Sequence, residues 1–145
     1  MYHPSLEEVK QMAGKGNLVP VYRSINGDLE TPVSAYLKVS RAPYSFLLES
    51  VSGGERIGRY SFIGTEPYHV VKTGPGQSGG QVDPLNSVQA ELDKYQLIPV
   101  EGLPKFHGGA VGYVAYDAVS YFEPRVPVMP ADPQGLPESV FTFVD

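Results

Sequence analysis

Apolar and polar positions change their period repeatedly along this chain, and each change marks an element boundary. Ser5 followed three residues later by Glu8 is a capping box: the Ser5 hydroxyl accepts from the Glu8 amide, and Glu8 reaches back. The spacing predicts a short helix over 6–13, stopped at Gly14 and Gly16. Residues 18–25 (LVPVYRSI) are β-rich and predict a strand, confined to a sheet edge by Pro20. After a turn at 26–28, Thr31 and Pro32 supply a cap and a preset first residue for a helix reaching Val39.

Further on, 44–50 and 59–63 predict two strands around a turn at Gly53 and Gly54. Residues 68–72 predict a third, antiparallel to its predecessor through a turn at 65–67. The glycine-rich stretch 74–80 reads as a mobile surface loop. Asp83 and Pro84 open a helix whose face is Leu85, Val88, Leu92 and Tyr95. Residues 108–116 predict a strand with small side chains, and 117–122 a helical turn. Pro124, Pro127, Pro130 and Pro133 recur every third residue, which predicts an extended, polyproline-like connector. Residues 139–145 (SVFTFVD) alternate as a strand does, with no turn after them. That ending reads as the edge of an N-terminal piece of something longer. The class is α+β: an antiparallel-rich sheet or sandwich with peripheral helices, in one region spanning 1–145.

Composition narrows the chemistry. At 41% hydrophobic and 19% charged residues, a packed core is expected and disorder is not. A net charge of −5 argues against a nucleic-acid surface. Eight of the 11 Lys and Arg residues lie in 1–72, the half that holds the two strands around Gly53. With no cysteine, thiolate chemistry and disulfides are excluded, and a reducing cytoplasm is the expected home. The three histidines lack metal-ligand spacing, so no metal site is expected in this chain. No apolar run approaches membrane-spanning length, and no membrane partner is expected.

Catalytic patterns are missing as well. There is no G-x-S-x-G and no H-E-x-x-H, and no pair of carboxylates is spaced for one helix face. The Gly108–Gly112 run lacks phosphate-loop spacing; its glycines fit a strand closely approached by another backbone. Tyr113, Tyr116 and Tyr121 read as core or interface aromatics, and His107 as a satisfied loop residue. No catalytic residue is assigned in this chain.

One corner does gather mixed chemistry. Alternation puts Phe46, Leu48 and Ser50 on one strand face and Leu47 and Glu49 on the other. Across the turn, Arg59 and Ser61 share a face, and Tyr60 and Phe62 the other. A hydroxyl, a guanidinium fork and apolar walls suit a small zwitterion with an apolar side chain. Each also has a plainer role. Ser50 fits a turn opening, Arg59 an edge-strand charge, and Glu49 a surface partner for Arg56 or Arg59.

The strings LLES at 47–50, GERIGRYSFIG at 54–64 and GGAVGYVAYDAVSYFE at 108–123 resemble the N-terminal region of anthranilate synthase component I. The likeness covers essentially the whole chain. It implies a larger fold in which two sheets face each other with helices outside. It also implies a lyase parent that makes anthranilate and pyruvate from chorismate, with ammonia from a glutamine amidotransferase partner. Mg²⁺ and chorismate would sit mainly in the C-terminal half, and the 145-residue chain alone would be inactive. Matched residue by residue, the family's L-tryptophan feedback site falls on Leu48, Glu49, Ser50, Ile57, Gly58, Arg59 and Tyr60. Glu49 conflicts with simple alternation unless a bulge turns it toward Ser50. Two other readings stand beside this one: the large chain of aminodeoxychorismate synthase, and a non-catalytic amino-acid-binding module.

Overall fold

The computed structural model describes residues 1–49, 60–127 and 132–145. Among these residues, three helices and five strands follow in order: α1 (Leu6–Met12), α2 (Pro32–Val39), β1 (Ser45–Glu49), β2 (Ser61–Thr65), β3 (His69–Thr73), α3 (Pro84–Leu92), β4 (Gly109–Val114) and β5 (Ser139–Val144). A 3-10 helix, Tyr116–Tyr121, lies between β4 and β5. The strands form two antiparallel sheets, β1-β2 and β3-β5-β4, so the class is α+β as expected.

Helix starts follow the local chemistry. Ser5 accepts from the Glu8 amide, and the Glu8 carboxylate accepts from the Ser5 amide at 2.7 Å. Thr31 and Ser34 exchange the same pair of bonds at 3.1 and 2.9 Å, with Pro32 as the first helical residue. Asp83 accepts from the Leu85 amide at 2.8 Å. Each such cap stabilises its helix by about 1 kcal/mol.

The three-stranded sheet holds the centre. Phe143 of β5 is fully buried, with the Tyr68 and His69 rings 6.2 and 5.5 Å away. The buried Thr73 and Ser139 hydroxyls satisfy each other at 2.8 Å. Gly112 of β4 lies so close to β5 that an added Cβ would overlap the Val140 carbonyl oxygen. This is the close backbone approach expected for the Gly108–Gly112 run. The remaining core is sparse: Ile98, Ala118, Pro4 and Pro84 are the other buried apolar side chains among the residues described. The chain exposes 10751 Å², against about 7,300 Å² for a compact protein of its mass.

Several expectations fail for identifiable reasons. Residues 18–25 form no strand; only Leu18 bridges Leu97, and Tyr22 bridges His3. Pro20 has no amide to extend a ladder between those two bridges. β3 does not pair with β2 but with β5, which offers Phe141 and Phe143 opposite Val71 and His69. Aromatic and β-branched cross-strand pairs of that kind outweigh the proximity of a local hairpin. The 74–80 stretch is closed on itself, with Gly74 donating to the Gly80 carbonyl and Gly79 to that of Lys72, at 2.8 and 2.9 Å. Gly74 and Gly80 take positive φ, which lets seven residues fold back so tightly.

Helix α3 is rotated from its expected face. Pro84 and Glu91 are buried, while Leu85 and Leu92 are exposed. Glu91 tolerates burial because Lys94 donates to its carboxylate and His69 Nε2 lies 3.9 Å away. The proline-rich connector is not continuously extended where it is described. Val126 donates to the Glu123 carbonyl and Gly135 to that of Asp132, both at 3.0 Å. The Glu123 and Asp132 side chains capture amides two residues on, which closes turns against the prolines' extended preference.

Of the three tyrosines expected in a core or interface, Tyr116 is almost wholly exposed at 91% and Tyr113 is half exposed. Tyr121 is half-buried and donates to Glu138 at 2.7 Å, joining the 3-10 helix to the start of β5. Burial first, then the Glu138 bond and charge, push its phenol up to about 12. The folded value exceeds the unfolded one, so this contribution is complete below about pH 10 and disappears as pH rises through about 12. Urea midpoints should therefore fall above about pH 10, and fall less steeply in Tyr121→Phe. Equal slopes in the two proteins would contradict the assignment.

Candidate functional site

The described flanks of the 47–64 segment belong to the two-stranded sheet. β1 and β2 pair without interruption from Ser45 opposite Thr65 to Glu49 opposite Ser61. Helix α2 is tied to the sheet by a 2.9 Å hydrogen bond between Tyr36 and Ser45. Ser45, Leu47 and Glu49 alternate onto that side, and Phe46 and Leu48 onto the other. Phe46 lies across Gly64, whose missing side chain makes room for the ring.

The second face is an apolar wall. Leu48 stands opposite Phe62, and Phe62 packs edge-on against Phe106 with ring centroids 5.2 Å apart. Tyr60 lies next to it, 6.1 Å from Phe62 between centroids. Leu48 and Tyr60 remain 43% and 48% exposed, so the wall is open to an incoming ring. Alternation already places Phe62 beside Tyr60, but Phe106 is distant in the chain, and only the fold brings it here.

Glu49 is exposed, and the ladder carries no bulge up to its pairing with Ser61. It therefore projects from the face opposite Leu48, as alternation requires. Ser50, Ile57, Gly58 and Arg59 lie outside the described residues. Of the seven site residues read from the family motif, the structure brings Leu48 and Tyr60 to one wall and puts Glu49 behind it.

His107 departs from expectation. Its Nδ1 lies 2.8 Å from the Pro104 carbonyl oxygen, but its Nε2 is buried and has no hydrogen-bond partner among the described residues. Sequence offered no signal for this, because nothing near 107 in the chain marks the atom as enclosed. Among the described residues, no three His, Cys, Asp or Glu side chains gather to hold a metal ion. Nor is any described helix long and apolar enough to cross a membrane.

Neither a protein-family model nor a solved structure matches the chain. Individual relatives do. The chain is 45% identical to a probable anthranilate synthase component 1 of Schizosaccharomyces pombe, over 99% of its own length and 29% of the relative's. It is 38% identical to anthranilate synthase component 1 of Acetivibrio thermocellus, over 100% and 31%. For the Pseudomonas putida protein of the same name the identity is 41%, over 96% and 31%. The chain thus spans less than a third of the length of the relatives it matches. Across nearly all of its residues, the chain is a homologue of the N-terminal region of anthranilate synthase component 1.

Proposed function

We propose that this chain is the regulatory and scaffolding region of an anthranilate synthase large chain, with L-tryptophan binding at the 47–64 corner. The observation that carries the proposal is the 38–45% identity to anthranilate synthase component 1 proteins over at least 96% of the chain. In this reading the whole protein converts chorismate and ammonia to anthranilate and pyruvate in tryptophan biosynthesis. Ammonia comes from glutamine through a partner amidotransferase component. In the same reading Mg²⁺ assists this chemistry from a site in the C-terminal half of the protein.

The wall of Leu48, Tyr60, Phe62 and Phe106 supports the effector role, because an indole needs an apolar surface of ring size. Covering such a ring is worth about 2–3 kcal/mol. Ser50 and Arg59 supply the polar anchors in this proposal: a hydroxyl and a forked donor for the α-carboxylate. Among the described members, Glu49 is the one that the ladder turns away from the wall. Tryptophan inhibits by favouring a conformer that handles chorismate less well, and never by more than its own difference in affinity for the two conformers.

The test is product identity. The full-length protein given chorismate and ammonium should yield anthranilate, and tryptophan should suppress that yield. Formation of aminodeoxychorismate would overturn the reading. The 145-residue chain alone should show no turnover and only weak tryptophan binding, because in this proposal the facing side of the pocket comes from the rest of the protein; tight binding by calorimetry would contradict that.

A further inference from the structure

A cavity of about 710 Å³ lies apart from the 47–64 corner, between the 18–21 segment, the end of α3 and the starts of β3 and β4. Its volume is that of a small-molecule site. Leu18, Pro20, Leu92 and Leu97 give it aliphatic walls, and Tyr68 and Tyr95 meet edge-on with centroids 6.0 Å apart. Gly109 forms part of its lining at φ 120°, and a side chain there would extend into open space. Several of these apolar residues are exposed: Tyr68 at 45%, Leu97 at 45% and Tyr95 at 37%.

The polar groups on this cavity are few and complementary to one kind of molecule. Lys105 is an exposed cation on its rim. Asp145 also lines the cavity, and its carboxylate only accepts. One donor cation and one anionic acceptor thus border a ring-sized, largely apolar space. A carboxylate pairs with Lys105, whereas a second carboxylate is repelled by Asp145. A hydroxyl or amine on the ligand donates to Asp145.

We infer that this cavity binds a flat-ringed monocarboxylic acid that also carries a hydroxyl or amine donor, at a site separate from the proposed effector corner. The probe is 6-hydroxy-2-naphthoate, titrated into the full-length protein by calorimetry. Saturable binding is expected with a Kd on the order of 1 mM or tighter. Lys105→Met keeps the stem, removes the charge and should weaken binding roughly three- to tenfold. Leu97→Trp should abolish it by filling the space. Naphthalene-2,6-dicarboxylate should bind more weakly than the probe. An absence of saturable heat would overturn the inference. So would unchanged affinity in Lys105→Met, or a dicarboxylate that binds as tightly as the monoacid.

Discussion

In the full-length protein, Arg59→Ala should raise the tryptophan concentration for half-inhibition roughly ten- to a hundredfold, because a charge-assisted hydrogen bond is worth about 1.5–3 kcal/mol. Chorismate turnover without tryptophan should stay within about twofold, since an effector contact adds nothing to transition-state stabilisation. Ser50→Phe should do the same by a different route, because alternation assigns position 50 to the Leu48 face and a ring there would compete with the indole. The two variants separate the parts of the proposal. Losing the guanidinium weakens the anchor but leaves the apolar wall of Leu48, Tyr60 and Phe62. Adding a ring at 50 is expected to compete for that wall instead. Leu48→Ala should give an intermediate effect, about five- to tenfold, from lost apolar contact alone. Glu49→Gln should change little if Glu49 stays behind the wall, as its pairing with Ser61 places it. Steady-state inhibition curves at fixed chorismate check all four. Loss of turnover with tryptophan sensitivity retained would sink the effector assignment and make the corner part of the catalytic scaffold.

Much of this architecture was legible because it is local. The Ser5 and Thr31 caps, the strand at 139–144 and the helical turn after β4 each depend on residues within a few positions of one another. What was not legible depends on partners far along the chain. β3 carries no mark that its partner lies some seventy residues on, and a turn at 65–67 made the nearer hairpin the natural expectation. The α3 face was misread by one residue because Glu91, a residue that belongs in water, is held inside by Lys94 with His69 nearby. His107 likewise looked ordinary until its surroundings enclosed one nitrogen. At the corner, alternation anticipated the separation of Leu48 from Glu49. The aromatic contribution of Phe106 came only from the fold.

Gly112→Ala should destabilise the chain by about 3 kcal/mol or more, at the upper end of overpacking effects, although it adds a single methyl group. The new Cβ would overlap the Val140 carbonyl oxygen and approach Phe141 Cα to 2.7 Å. Both belong to the backbone of β5, the central strand, which is paired on both sides and cannot retreat from β4 without loosening from β3. A side-chain rotation cannot relieve the clash; six register pairs between Gly109 and Val114 must shift instead. Gly27→Ala is the matched control. Nothing lies within 4 Å of its added Cβ, and its φ is one that L residues adopt. Restricting the unfolded chain there should leave stability unchanged or raise it by up to about 1 kcal/mol. The same chemical change thus takes opposite signs at two glycines. The contrast matters more here than in a well-filled domain. With so few fully buried apolar residues among those described, the folded state has little stability in reserve. Gly112→Ala should accordingly lower the urea midpoint far enough to lose the folded baseline, while Gly27→Ala retains it. If both variants unfold at the parent midpoint, β4 is not pressed against β5 as described, and the glycine run has some other cause.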